Sequence, residues 1–227
     1  MGLDKLGHAT TSYYLGRLGY DAWRWAGMAE KKAIWIGGLT GFVHLLNIEI
    51  LDGFSSEWGA SVGDLTANTM GSALFISQQL AWHEQRVILK WSYHSTSFPE
   101  YRPDLLGSNS IRQMLKDYNG HTYWISANLR SFAGKEPGIP RWLNIAVGYN
   151  ATGMTGAKSN PYEYNGKAIP PFRRQQLIFI SPDIDLTHVR TRSSALKWIF
   201  EAIGFLKFPL PALEFNRQRV KFRPLYF

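Results

Sequence analysis

The sequence predicts an α+β fold, an N-terminal apolar three-helix unit packed against a curled, mainly antiparallel β-sheet. Apolar helix-like segments dominate residues 1–85, and period-two alternation begins after Arg86 and recurs through residues 86–227. The strand-like segments number five, while a closed transmembrane barrel takes about eight or more. A small outer-membrane barrel-like sheet enclosing the helices is therefore the alternative.

The first helix is expected over residues 5–27, with Tyr13, Leu15, Leu18 and Trp25 among small residues and Gly27 as its stop. Glu30-Lys31-Lys32 opens the second. From Ala33 to Ile48 the chain is almost wholly apolar, broken by Thr40, His44 and Asn47. That run falls short of the roughly 20 residues a bilayer-spanning helix needs, so a buried central helix explains it at least as well. Gly37, Gly38 and Gly41 permit close helix approach. A loop with Phe54, Ser55, Ser56 and Trp58 follows. Ser61 then fits an N-cap, with Asp64 as its capping-box partner, for a third helix from Val62 to Trp82 presenting Leu65, Met70, Leu74, Phe75 and Leu80.

Beyond Arg86, strands are predicted at Val87–Tyr93, His121–Phe132, Leu143–Asn150, Gln175–Leu186 and Arg219–Phe227. Pro182 marks a bulge or edge position in the fourth. Short helices are expected at Ile111–Lys116 and, amphipathic, at Ser194–Lys207, where Pro209 and Pro211 end it. Glycine- and proline-rich loops at 133–141 and 156–171 connect strands.

Composition narrows the function. The net charge of +8 comes with basic residues spread along the chain, concentrated at Arg173-Arg174, Arg190 to Lys197 and Arg217 to Arg223. No zinc-ligand spacing or RNA-binding aromatic signature accompanies them, so no nucleic-acid partner is expected. Nine Trp and eleven Tyr suit a protein with one side at a membrane–water interface. With no cysteine, disulfides, thiolate metal sites and cysteine nucleophiles are excluded. P-loop, Rossmann, Gly-x-Ser-x-Gly and His-Glu-x-x-His motifs are absent as well. His44 reads as a core histidine, and His83, His94, His121 and His188 as superficial ones.

Three polar clusters sit at helix ends: Asp4-Lys5-x-x-His8, Glu49-x-x-Asp52, and Asp64-x-x-x-Asn68. In an up-down-up bundle the start of helix one, the end of helix two and the start of helix three share one end. Asp4, Lys5, His8, Glu49, Asp52, Asp64 and Asn68 are therefore the candidate ligand-binding residues. Carboxylates and a histidine converging there suit a divalent cation, or a general base with His8 held by Asp4. The plain structural alternative has Asp4 and Asp64 serving helix N-termini and Glu49 pairing with Lys5. The sequence assigns neither a catalytic residue nor a particular metal.

These residues, with the glycine-rich second helix and Trp58-Gly59-Ala60-Ser61-x-Gly63-Asp64-x-x-Ala67-Asn68-x-x-Gly71, resemble the YfiM-type predicted periplasmic lipoprotein family. More distantly they are similar to VanZ-like membrane proteins. The resemblance covers roughly residues 3–80. It implies an envelope location in a Gram-negative-type bacterium, on or in a membrane, and implies no reaction. The lipid-bearing cysteine of such lipoproteins is missing, so either it lies upstream of Met1 or the protein attaches through its own apolar surface.

The resulting expectation is a membrane-associated cell-envelope protein at the outer membrane or its periplasmic face. It would bind a membrane lipid or an envelope protein partner, with the amphipathic helix around Trp198 and the side chains of Lys197, Lys207 and Arg219 meeting anionic headgroups. The alternative is a cation-dependent enzyme acting on an envelope lipid or glycan.

Overall fold

The computed structural model describes residues 1–54, 59–133, 138–217 and 219–227. Ser55, Ser56 and Trp58, and the glycine–proline stretch at 134–137, lie outside the described residues. The chain divides into two compact units, Gly2–Arg86 and Val87–Phe227, with Met1 grouped with the second.

The first unit is helical: α1 (Leu3–Trp25), α2 (Glu30–Gly38), α3 (Thr40–Gly53) and α4 (Val62–Trp82). The expected second helix is broken in two at Leu39, whose backbone stays in the right-handed helical region. Gly37 and Gly38 weaken the helix there, and the Thr40 hydroxyl donates back to the Ile36 carbonyl at 3.3 Å, a bond that bends helices. α4 begins as expected, with Ser61 Oγ accepting from the Asp64 N–H at 3.3 Å.

α1 packs against α2, α3 and α4. The closest approaches flank Ser12. A Cβ on Gly41 of α3 would lie 2.1 Å from the Ser12 carbonyl oxygen, and one on Gly71 of α4 would lie 2.1 Å from that of Ala9. Ser12 itself is fully buried, its hydroxyl donating to the Asn68 carbonyl at 2.7 Å and lying 3.0 Å from the Ser72 hydroxyl.

The buried face of α4 is Asp64, Ala67, Asn68, Gly71, Ser72, Phe75, Ile76, Gln78 and Gln79. Met70 is 65 % exposed, and Leu65 and Leu80 are exposed too. On α3 the buried stripe is Gly41, Leu45 and Glu49. His44 falls off that stripe and is exposed, not a core histidine, alongside exposed Val43, Ile48, Ile50 and Leu51. The unit buries small and polar residues and turns much of its apolar surface outward.

The second unit is built on a six-stranded antiparallel sheet in the order β1 (Val87–Tyr93), β2 (His121–Asn128), β3 (Leu143–Thr152), β6 (Gln175–Ile184), β7 (Leu210–Phe215), β8 (Val220–Tyr226). It does not close into a barrel. A two-stranded hairpin, β4 (Glu163–Tyr164) with β5 (Lys167–Ala168), is inserted between β3 and β6. Short helices α5 (Pro103–Leu106), α6 (Ser110–Lys116), α7 (Leu129–Ala133) and the amphipathic α8 (Ser194–Ile203) complete it.

The sequence reading missed β7, because Pro209 and Pro211 read as breakers. Residues 129–132, expected to prolong β2, form α7 instead. Pro182 sits opposite Ile145 of β3, but the β6–β7 ladder ends at Ile180, so its missing N–H faces no ladder partner. Residues 205–207 do not extend α8. They bridge to β1, Trp91 N–H donating to the Phe205 carbonyl at 2.8 Å and Lys207 N–H to the Trp91 carbonyl at 2.9 Å.

The register sorts the faces. One face carries the rows Trp91–Tyr123–Tyr149–Ile178–Phe215–Val220, Leu89–Ile125–Val147–Ile180–Leu213–Phe222 and Val87–Ala127–Ile145–Pro182. Ile125 is 55 % exposed, Val147 49 % and Phe222 63 %. The opposite face is buried and largely polar: Lys90, Ser92, Thr122, Ser126, Asn128, Asn144, Asn150, Ser181, Asp183 and Glu214 surround a small apolar centre of Trp124, Ala146, Phe179 and Ala212. Gly148 leaves room for the Trp124 indole, since a Cβ there would lie 2.6 Å from the ring.

Asp183 receives Lys90 Nζ at 2.8 Å and the Ser126 hydroxyl at 2.6 Å, with Lys207 Nζ 3.8 Å away. Lys207, expected at lipid headgroups, is thus enclosed. Burial pushes its ammonium down to about 8, against the pull of Asp183. His121 is likewise buried rather than superficial, Nε2 lying 2.8 Å from the Met114 carbonyl.

Gly71→Ala is expected to destabilise the protein by about 1–3 kcal/mol through overpacking. Gly138→Ala, whose Cβ would meet nothing within 4 Å, is expected to be near neutral. Thermal denaturation followed by circular dichroism checks this, and equal melting temperatures for the two variants would contradict the close approach around Ser12.

Candidate functional site

The N-terminus of α4 organises the polar end of the helical unit. In a capping box the residue three positions after the cap accepts the cap's own N–H. Here the Ser61 N–H instead donates to Glu49 Oε2, from α3, at 3.0 Å. Asp64 is thereby free to take Lys5, whose Nζ donates to its two carboxylate oxygens at 2.7 and 2.8 Å, to Ser61 Oγ at 3.1 Å, and pairs with Asp4 at 3.0 Å. The glycine at position 63 keeps that channel open, since a Cβ there would lie 2.9 Å from Lys5 Cε.

His8, one turn along α1 from Asp4, is not held by Asp4. Its Nδ1 lies 3.1 Å from Asn68 Oδ1, a bond in which the imidazole N–H donates to the amide oxygen. Nδ1 is also 3.9 Å from Glu49 Oε1, and Nε2 is 3.8 Å from Asp64 Oδ1. Each of His8, Glu49 and Asp64 offers one ligand atom, and the three atoms lie within 4.8 Å of one another. Asn68 is fully buried, and its Nδ2 has no hydrogen-bond partner among the described residues.

Six of the seven candidate residues therefore meet. Asp52 does not join them: it lies beyond Glu49 near the end of α3, where its backbone carbonyl accepts the Gly59 N–H at 3.0 Å. The expected Glu49–Lys5 pair is not formed, because Lys5 goes to Asp64 and Asp4. Ser61, read in the sequence only as a cap, is the residue that ties α3 to α4 at this site.

Charge is unbalanced here. Among the described residues, three carboxylates, Asp4, Glu49 and Asp64, face one permanent cation, Lys5, and the imidazole of His8. For Lys5, burial works to lower the pKa, but the hydrogen bonds and charges of Asp64 and Asp4 outweigh it and raise the ammonium above its ordinary value. For Asp4, burial works upward and is outweighed by the hydrogen bond and charge of Lys5, which hold the carboxyl below the usual range. A histidine oriented through one nitrogen, with its other nitrogen turned toward a carboxylate, is an arrangement that metal ligands adopt.

Residues 1–78 match the family described as predicted periplasmic lipoprotein (DUF2279). That stretch of the helical unit is similar to the family over about a third of the chain. The match runs from α1 into α4 and takes in all of the polar cluster; the β unit lies beyond it. The family's description, a periplasmic lipoprotein, is consistent with an envelope location. No match was found among curated proteins or among solved structures, so the VanZ-like similarity gains no support.

Lys5→Met is expected to destabilise the helical unit by about 1–2 kcal/mol, less than for a fully enclosed ion pair because Lys5 keeps contact with water. Since the Lys5 pKa is raised on folding, its contribution is full below the ordinary lysine value and is lost as pH rises through the folded value. Since that of Asp4 is depressed, its contribution is full above the ordinary carboxyl value and is lost as pH falls through the folded value. Melting temperature against pH should fall at both extremes for the natural protein, and Lys5→Met should flatten the alkaline limb. An unaltered alkaline limb would contradict the assignment.

Proposed function

We propose that this is a non-enzymatic cell-envelope protein seated at the outer membrane through outward-turned apolar surfaces, with the polar end of the helical unit as its ligand-holding site. The reading is carried by the inversion seen separately in each unit. Soluble domains bury their large apolar residues and hydrate their polar ones. Here Lys90, Asp183 and Lys207 are enclosed while Ile125, Val147, Ile180, Leu213 and Phe222 face out. A polar interior behind an apolar outer face is the pattern of outer-membrane sheets.

The helical unit supports the same reading. Glu30–Gly53 is long and apolar enough to cross a membrane by length and composition, and only 33 % of its most apolar window is buried. Trp35, Ile36, Leu39, Val43, Ile50 and Leu51 are exposed along it. α8 adds a surface helix exposing Leu196, Trp198 and Ile199, suited to lie in a lipid interface.

In fractionated cells the protein is expected to sediment with membranes, to stay there through high-salt washing, and to be released by detergent. Val147→Lys, which puts a charge in the middle of the apolar face, should weaken retention while leaving the fold intact. Release by salt alone would refute the seating, and unchanged retention of Val147→Lys would take the sheet out of it.

A second reading, a cation-dependent enzyme acting on an envelope lipid or glycan, is favoured by the His8–Glu49–Asp64 triangle. One nitrogen and two carboxylate oxygens suit zinc or manganese, provided Lys5 yields one oxygen of Asp64. Titration calorimetry with Zn²⁺ and Mn²⁺ should show one site that Asp64→Asn abolishes. Absence of binding to the natural protein would exclude this reading.

A further inference from the structure

Beyond the row Trp91–Tyr123–Tyr149–Ile178–Phe215–Val220, the strands of the β unit run into a basic recess. Arg173, Arg174, Gln175 and Gln176 lead into β6 on one side, and Asn216 and Arg217 leave β7 on the other, around a cavity of about 290 Å³. None of these residues is acidic. Arg174 is already committed as a strut: its guanidinium donates to the Lys158 carbonyl at 2.8 Å, to Asn160 Oδ1 at 2.9 Å, and to the Gly156 carbonyl. Those acceptors are neutral, so its charge remains. Arg173 and Arg217 are exposed, and no carboxylate pairs with either among the described residues.

We propose that this recess binds the terminal phosphomonoester of an anionic lipid headgroup, which offers more free oxygens to the arginines than a phosphodiester does, at the surface of the membrane. The inference rests on the membrane seating proposed above. Guanidinium groups match phosphate oxygens with paired N–H donors, and the amides of Gln175 and Gln176 add donors to the wall. Position selects a lipid over other sources of phosphate. Gln176 is two residues along β6 from the outward-facing Ile178, about 7 Å by strand rise. Tyr149 and Phe215 flank Ile178 in the same row. Aromatic side chains lie at the level where hydrocarbon gives way to headgroups, so the recess lies where headgroup phosphates would be. Free phosphate offers the same chemistry but gains nothing from the apolar rows beside it.

The test is sedimentation of the full chain with vesicles of phosphatidylcholine, of phosphatidylcholine with phosphatidic acid, and of phosphatidylcholine with phosphatidylglycerol at matched charge, with inorganic phosphate as a soluble competitor. Binding is expected to be tightest to the phosphatidic acid vesicles. Arg173→Gln and Arg217→Gln should each weaken that binding about fivefold and leave phosphatidylcholine binding unchanged. Equal affinity for the phosphatidylglycerol vesicles would show diffuse charge attraction, and the proposal would fall. It would also fall if the variant carrying both Arg173→Gln and Arg217→Gln kept its preference, or if millimolar inorganic phosphate filled the recess and erased the preference. Failure to bind any vesicle would instead overturn the seating on which the inference rests.

Discussion

The helical unit depends on the approach of α1 to α3 and α4 at Ser12. With Gly41 and Gly71 on either side, the backbones come near enough that a single methyl group would collide with a carbonyl oxygen. Ser12 then bonds across the gap to α4 rather than to water. From that fixed crossing the rest follows by helical geometry. His8 lies one turn back along α1 and reaches Asn68, one turn back along α4. Glu49 lies two turns beyond Gly41 and reaches the Ser61 N–H. The polar cluster is a product of backbone packing more than of attraction between its charges.

Much of this was legible in the sequence. Period-two alternation located β1, β3 and β6 closely, the Ser61 cap located the start of α4, and the spacing of Asp4, His8, Asp64 and Asn68 placed them at one end of the unit. Which face points inward was not legible. Alternation fixes that successive side chains oppose each other, but it does not say whether the apolar set meets a core or the outside. Of the apolar residues that the third helix presents, Phe75 is buried while Leu65, Met70 and Leu80 are exposed. His44 was misread because an apolar run was taken to be buried all round.

Other misses have local causes. Two prolines hid β7, because Pro211 can sit in a strand where its nitrogen is not needed as a donor. Lys207 looked like a surface charge because nothing in the sequence ties it to Asp183, which precedes it by two elements. The role of Ser61 in holding Glu49 was hidden because it replaces a local bond, from Asp64, with one from another helix. The arginines of the β unit's rim were visible only as a basic doublet and a basic stretch, with no sign that the ends of two strands bring them around one recess.

The bridge at Trp91 has a bearing on how the second unit is assembled. β1 is the first strand of the unit to be synthesised, yet the segment that covers its edge, Phe205–Lys207, arrives well over a hundred residues later. Closing so long a stretch of chain carries an entropic cost, and contacts of such separation slow folding. Until then β1 presents bare N–H and C=O groups, an invitation to pair with another chain. The nascent β unit is therefore at its most aggregation-prone early, and an escort that shields β1 until Lys207 has emerged would act at the step where the sheet is least able to protect itself.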